Sequence, residues 1–206
     1  NMVTYGGAVA EWFEQVNAFE TWMNGKTVAD VTGMEFAENS HGYTDTPADE
    51  DLKASCTISM TAFLTALQKA YDNAVETTGV PAKTGLGIVV SDTVADEDAE
   101  NEKGASAQID TTIAVVALDE AGTIVASQID VAQQKAAFDL EGKKAGEVDL
   151  RTKVEKEGDY GMKGVSGIGK EYFEQAKALT DWMTGKTVDE VLAMPTYQRD
   201  ESHTAC

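Results

Sequence analysis

The feature that most constrains this chain is an internal repeat. Residues 2–34 align without gaps with residues 162–194, and about 15 of the 33 aligned positions are identical. After a two-residue insertion, Ser40 and His41 correspond to Ser202 and His203. We therefore expect residues 1–80 to be the C-terminal part of one repeat and residues 81–206 the N-terminal part of the next, each full repeat having roughly 160 residues.

Apolar side chains recur at helical spacing in both copies, which predicts one long amphipathic helix in each. Gly25 and Gly185 stand where these two helices should end. Thr187 should then open a shorter helix, because a glutamate follows three positions later as in a capping box. Ser59 is expected to cap a third long helix with an apolar stripe. The stripe consists of Phe63, Leu64, Leu67, Tyr71 and Val75.

Strands are expected between the two copies. Residues 86–91 form a β-branched run, and residues 110–118 and 123–131 flank a polar, glycine-bearing turn, as in a β-hairpin. Residues 92–104, rich in acidic residues and alanine, are expected to form a solvated connection. The patterns together predict an α+β fold in which an antiparallel sheet is covered by long amphipathic helices, built from parts of two tandem repeats.

The two segments complement each other in this prediction. The first has helices without a sheet, and the second has a sheet without the third long helix. We therefore expect the helix over residues 63–75 to pack on the sheet, so that both parts form one compact body. That packing would bring Cys56 and Cys206 together, and these two cysteines then either form a disulfide or are independent thiols.

Charge and hydropathy exclude several partners. The chain has 36 Asp and Glu against 16 Lys and Arg, a formal net charge of −20. Such a surface repels phosphate backbones and anionic headgroups, so nucleic acid is not expected as a partner. No uninterrupted apolar run reaches about 18 residues, so direct membrane insertion of this segment is not expected either.

No set of residues in the sequence indicates a catalytic mechanism or a metal site. His41 and His203 follow a serine at equivalent positions, a placement that favours a turn or capping role over a ligand role. The glycine-rich segment before the second long helix either eases the turn into the helix or holds a phosphate against the helix N-terminus. Its candidate binding residues are Gly164, Ser166, Gly167, Gly169 and Lys170.

The hairpin over residues 112–129, followed by Gly164-Val165-Ser166-Gly167 opening a helix, resembles the FMN-binding domain family of bacterial envelope and electron-transfer proteins. The resemblance covers roughly residues 84–184, and repeated units of this kind are also similar to secreted lipoproteins of Gram-positive anaerobes. In that family the loop reads Ser-Gly-Ala-Thr, and its threonine can carry flavin through a phosphoester bond. Gly169 stands at that position here, so the resemblance implies FMN held without a covalent bond.

Two functions follow from these observations. The first is a non-enzymatic extracellular, envelope-associated module whose partners are neighbouring repeat units or a cell-surface protein. The alternative is a non-covalent FMN-binding electron-transfer protein with the flavin phosphate at residues 164–169. No cofactor follows from the residues themselves. FMN and an extracellular or cell-envelope location are what the resemblance implies.

Overall fold

The computed structural model describes residues 2–6, 8–198 and 204–205. The chain divides into two compact units, Asn1–Val75 and Glu76–Cys206, where the sequence places a boundary near residue 80. The fold is α+β with a three-stranded antiparallel sheet, as predicted. None of the described helices combines the length and the apolar character needed to cross a membrane.

The N-terminal unit is mainly helical. Its helices are α1 (Met2–Gly6), α2 (Trp12–Met23), α3 (Val28–Thr32), α4 (Glu50–Lys53) and α5 (Thr61–Asp72). Two short strands, β1 (Phe36–Ala37) and β2 (Thr46–Pro47), pair in antiparallel fashion between α3 and α4.

Four of these helices supply the core of the N-terminal unit. Phe19 of α2, Val31 of α3, Leu52 of α4 and Leu64 of α5 are each less than a tenth exposed and pack in one cluster. Only part of the predicted apolar stripe on α5 therefore contacts this core. Phe63 and Leu67 pack against the cluster, whereas Tyr71 and Val75 are exposed.

The N-terminus of α5 differs from the prediction that Ser59 caps it. The capping position is Met60, and the Ser59 hydroxyl donates to the carboxylate of Asp45 instead. The same carboxylate accepts from the Thr61 backbone N–H at 3.3 Å. The hydrogen bonds from Ser59 and then Thr61 lower the pKa of Asp45. A carboxylate from a distant part of the sequence thus satisfies the helix start, because tertiary packing brings it there.

The C-terminal unit is built on a sheet of strand order β3-β4-β5, with neighbours antiparallel. The strands are β3 (Lys83–Ala95), β4 (Ser106–Leu118) and β5 (Ile124–Ala137). A single 3₁₀ turn, Ala99–Asn101, lies between β3 and β4. After the sheet come α6 (Lys153–Lys156), a 3₁₀ turn (Glu157–Tyr160), α7 (Tyr172–Met183), α8 (Val188–Leu192), β6 (Tyr197–Gln198) and β7 (Thr204–Ala205).

The hairpin between β4 and β5 forms as predicted. One carboxylate oxygen of Asp119 accepts from the backbone N–H groups of Ala121 and Thr123 at 2.9 and 2.8 Å. Gly122 has a φ of 83°, which glycine adopts without steric cost. Local turn chemistry therefore closes the hairpin without help from distant residues.

The first strand is longer than the sequence predicts. β3 pairs with β4 without interruption from Lys83 opposite Leu118 to Ala95 opposite Ser106. The polar residues Asp92 and Thr93, expected in a connection, are therefore part of the strand. Backbone pairing with β4 overrides the low strand propensity of Asp92, and Thr93 is itself a β-branched residue that favours strands.

Helix α7 packs on β5. Met183 of α7 is 7% exposed, and Ile124 and Val125 of β5 are 1% and 5% exposed. The chain leaving α7 also bonds to the start of β5, since Gly185 donates to the Ile124 carbonyl at 2.9 Å and Ile124 donates to the Lys186 carbonyl at 2.8 Å. The end of the helix is thereby tied to the sheet.

The repeated segments have the same local structure. α2 and α7 have 12 residues each, and each ends before a glycine with positive φ, 81° at Gly25 and 85° at Gly185. Thr27 and Thr187 then cap α3 and α8 through capping boxes. The predicted helices and their ends are confirmed in both copies.

Candidate functional site

The predicted phosphate loop lies immediately before α7. Gly164, Gly167 and Gly169 are exposed, and a Cβ atom added to any of them would meet no atom within 4 Å. Gly169 has a φ of 64°, so the backbone adopts the left-handed conformation just before α7, as glycine does without steric cost. All five candidate binding residues are therefore in one exposed turn.

The backbone N–H groups of this loop bond within it. Val165 and Ser166 donate to the Met162 carbonyl at 3.0 and 2.8 Å, and Gly169 donates to the Ser166 carbonyl at 3.1 Å. The Ser166 hydroxyl oxygen accepts from the Ile168 N–H at 3.4 Å. Four of the N–H groups that could surround a phosphate are thus engaged in closing the turn.

Lys170, the lysine among the candidate binding residues, is paired with an acidic side chain of α7. Lys170 Nζ lies 2.7 Å from Glu174 Oε1. The hydrogen bond from Lys170 and the bond from the Glu171 backbone lower the pKa of Glu174. Glu171 is 8% exposed and accepts from the Met162 N–H at 2.8 Å. An anion bound here would compete with the Glu174 carboxylate for Lys170.

His41 lies on a turn organised by an asparagine. Asn39 Oδ1 accepts from the backbone N–H groups of His41 and Tyr43 at 2.9 and 3.1 Å, and Asn39 Nδ2 donates to the Thr57 carbonyl at 3.0 Å. The turn borders an open cleft of about 980 Å³ in the N-terminal unit, lined in part by Glu38, His41, Tyr43, Lys53 and Ser59. Among the described residues, no group of three or more His, Cys, Asp and Glu side chains has the arrangement of a metal site.

The predicted disulfide joins one described cysteine to one that lies outside the described residues. Cys56 is fully buried, with its Sγ 3.9 Å from the sulfur of Met60, and burial raises the pKa of its thiol. Cys206 and His203 lie outside the described residues. The disulfide between Cys56 and Cys206 therefore stays a prediction, as does the pairing of His41 with His203 in one role.

The sequence patterns did not predict one cluster, in which a lysine lies against two tyrosine rings. Lys153 Nζ lies 5.1 Å from the ring centre of Tyr160 and 5.4 Å from that of Tyr172, and the two rings meet edge to face at 5.9 Å. Burial, and then the nearby charge of Asp130, raise the pKa of Tyr172. A capping box between Thr152 and a glutamate three positions later marks this site in the sequence. The cluster joins α6 and α7 around a cation held by two aromatic rings.

The repeated helix buries different faces in the two units. Gln15 and Phe19 of α2 are 0% and 4% exposed, whereas their equivalents in α7, Gln175 and Leu179, are only half-buried. The positions at the start of the helix show the reverse. Trp12 and Phe13 of α2 are 51% and 60% exposed, whereas their α7 equivalents Tyr172 and Phe173 are half-buried. The helix therefore has two contact faces, and each unit covers one of them.

The edge strand β3 is a second exposed surface. All 13 of its residues are exposed, and they include large apolar side chains that are 57–68% exposed. These are Leu86, Ile88, Val89, Val90 and Val94. A long exposed edge of this kind can accept a further strand.

No family model matches the chain, and no curated protein or solved structure matches it. The resemblance to the FMN-binding domain family therefore stays a prediction.

Proposed function

We propose that this chain is a non-enzymatic, extracellular, envelope-associated module that acts through contacts with other protein chains. The observation that carries the proposal is the exposed edge strand β3. Natural sheets usually protect such an edge with a proline, a bulge, an inward-pointing charge or a covering element. β3 has no proline and pairs with β4 in unbroken register, so its outer edge is a continuous row of backbone donors and acceptors.

The occupant that fits this edge is the β3 strand of a second copy. Lys83 stands at the start of β3 and Asp92 near its end. In an antiparallel pair, the Lys83 end of one strand lies beside the acidic end of the other, so opposite charges meet at both ends. The apolar residues between them meet at the centre. The two sheets would then continue into each other, as in β-strand addition.

Edge pairing of this kind is tested by sedimentation equilibrium of the full chain. Lysine at the centre of the edge should block the pairing, so Val89→Lys should weaken self-association at least tenfold. Leu150→Lys is the matched control, because Leu150 is 74% exposed and lies outside the sheet. It makes the same change in charge and should self-associate like the wild type. A wild-type chain that is monomeric up to about 1 mM, or equal weakening in both variants, would reject the β3 contact.

The flavin alternative predicts a different result. A flavin carrier would quench or shift FMN fluorescence on titration with one equivalent bound per chain, and Gly167→Asp in the loop would remove that binding. The hydrogen bonds that close the loop and the Lys170–Glu174 pair weigh against the flavin alternative, because they engage groups that would otherwise bind the phosphate. Stoichiometric FMN binding that is lost in Gly167→Asp would favour the electron carrier.

A further inference from the structure

In the N-terminal unit, the face of α2 formed by Gln15, Phe19 and Trp22 is covered by the segment that contains α4 and α5, residues 45–72. Phe19 packs with Leu52 and Leu64 of this segment. Gln15 is fully buried, and its Oε1 accepts from the Thr57 backbone N–H at 2.8 Å. Apolar contact and a buried side-chain-to-backbone hydrogen bond therefore both hold the segment in place.

A carboxylate completes this contact at the end of α2. Asp49 lies at the start of α4, where the Leu52 N–H, then the Trp22 side chain and then the charge of Lys26 lower its pKa. Lys26 Nζ in turn lies 4.5 Å from the centre of the Trp22 ring. The tryptophan and lysine of the repeat thus form a site for an incoming carboxylate.

The equivalent glutamine, tryptophan and lysine are present in α7 and the turn that follows it. Gln175 Nε2 donates to the Lys170 carbonyl at 3.0 Å, as Gln15 Nε2 donates to the Ala10 carbonyl at 2.8 Å. Lys186 Nζ lies 4.6 Å from the centre of the Trp182 ring, which repeats the geometry of the first copy. Within the described part of the chain, nothing corresponds to the Thr57 N–H or to Asp49 here. Trp182 is 38% exposed.

We propose that this face of α7 and α8 binds a helical protein segment built like residues 45–72. The face consists of Gln175, Leu179, Trp182, Lys186 and Val191. The segment would present a carboxylate to Trp182 and Lys186, a backbone N–H to Gln175 and apolar side chains to Leu179 and Val191. The described residues include one such segment, which α2 already uses, so the occupant of the α7 face is a second polypeptide segment of this chemistry.

This contact is separate from the β3 edge, so the two proposals fail independently. At the site itself opposite charges meet, since the segment brings its carboxylate to Lys186.

The test uses the full chain with a synthetic peptide of residues 44–75, kept reduced, and follows backbone amide exchange by mass spectrometry. We expect the peptide to slow exchange at least tenfold in residues 171–192 and to leave β4 unchanged. Residues 11–33 should change little, because their own segment already covers them. A peptide carrying Leu52→Asp and Leu64→Asp should give no protection.

Variants of the full chain locate the site. Lys186→Glu reverses the charge beside Trp182, and Leu179→Asp places a carboxylate on the apolar part of the face, so each should weaken peptide binding at least tenfold. Lys177→Asp is the matched control, since this position is exposed in both copies, and it should bind like the wild type. Val89→Lys should also bind normally, because β3 is not part of this face. Absence of protection up to about 1 mM peptide, or equal protection in Lys186→Glu and the wild type, would overturn the inference.

Discussion

At the scale of single residues, the repeat provides matched pairs in which the same side chain meets different surroundings. Val31 and Val191 are the same residue at equivalent positions of α3 and α8, but Val31 is 2% exposed and Val191 is half-buried. Gln15 and Gln175 differ in the same sense. Such pairs separate what a residue type contributes from what its burial contributes.

The valine pair makes a quantitative prediction. Val31→Ala leaves a cavity in the core of the N-terminal unit and should lower the free energy of unfolding by about 2 kcal/mol. Val191→Ala removes the same two methyl groups from a half-buried site and should cost less than about 1 kcal/mol. Urea denaturation followed by circular dichroism measures both. Equal costs would mean that the α8 site is as fully packed in solution as the α3 site.

At the scale of elements, the starts of α3 and α8 follow from local sequence, whereas the start of α5 and the full length of β3 do not. The capping boxes at Thr27 and Thr187 form within four consecutive residues, so the sequence contains all the partners. The start of α5 depends on Asp45, which no local pattern identifies. The length of β3 likewise depends on its pairing with β4, because Asp92 has low strand propensity and interrupts the apolar run.

The capping boxes predict a pH-dependent contribution. Hydrogen bonds from Thr27 lower the pKa of Asp30, and hydrogen bonds from the Thr187 backbone and then its side chain lower the pKa of Glu190. These carboxylates therefore stabilise the fold above their unfolded-state pKa, and the contribution is lost as the pH falls through the lower folded-state pKa. Thr27→Ala should cost about 1 kcal/mol at pH 7.

The measurement is urea denaturation at pH 7 and near pH 2 for the wild type and for Asp30→Asn. The difference between the two proteins should be present at pH 7 and shrink at the lower pH. Asp181→Asn is the control, because Asp181 pairs with Lys177 on the helix surface and takes part in no cap. A difference that is the same at both pH values would mean that the Asp30 charge contributes nothing to the cap.

At the scale of the whole molecule, the net charge of −20 is the dominant property. Like charges on a compact surface repel one another, and dissolved salt screens them, with a Debye length of about 30 Å at 0.01 M and about 8 Å at 0.15 M. Raising sodium chloride across this range should therefore raise the thermal midpoint by about 2–4 °C. Scanning calorimetry tests this, with a variant that exchanges four exposed glutamates for glutamine as the comparison. That variant should respond less to salt, and an equal response would point to a specific ion effect.

The candidate surfaces also divide into those that local sequence predicts and those that depend on tertiary packing. The glycine loop at residues 164–170 was found from sequence because glycine spacing before a helix is a local pattern, and the structure brings those residues into one turn. The β3 edge and the partly exposed face of α7 were not predicted, because exposure depends on which neighbours are present. The tyrosine pair around Lys153 was not predicted either, because its residues come from α6, the following 3₁₀ turn and α7, which only tertiary packing brings together.

The sequence by itself determined the local structure of both copies, because helix periodicity, capping boxes and a glycine with positive φ act within a few residues of one another. It also determined the acidic surface and the β4–β5 hairpin. Only the tertiary structure decided which face of the repeated helix is buried. In the N-terminal unit α4 and α5 cover one face, and in the C-terminal unit the sheet covers the other. Burial depends on contacts between residues far apart in sequence, so two segments with one local structure present different surfaces to a partner.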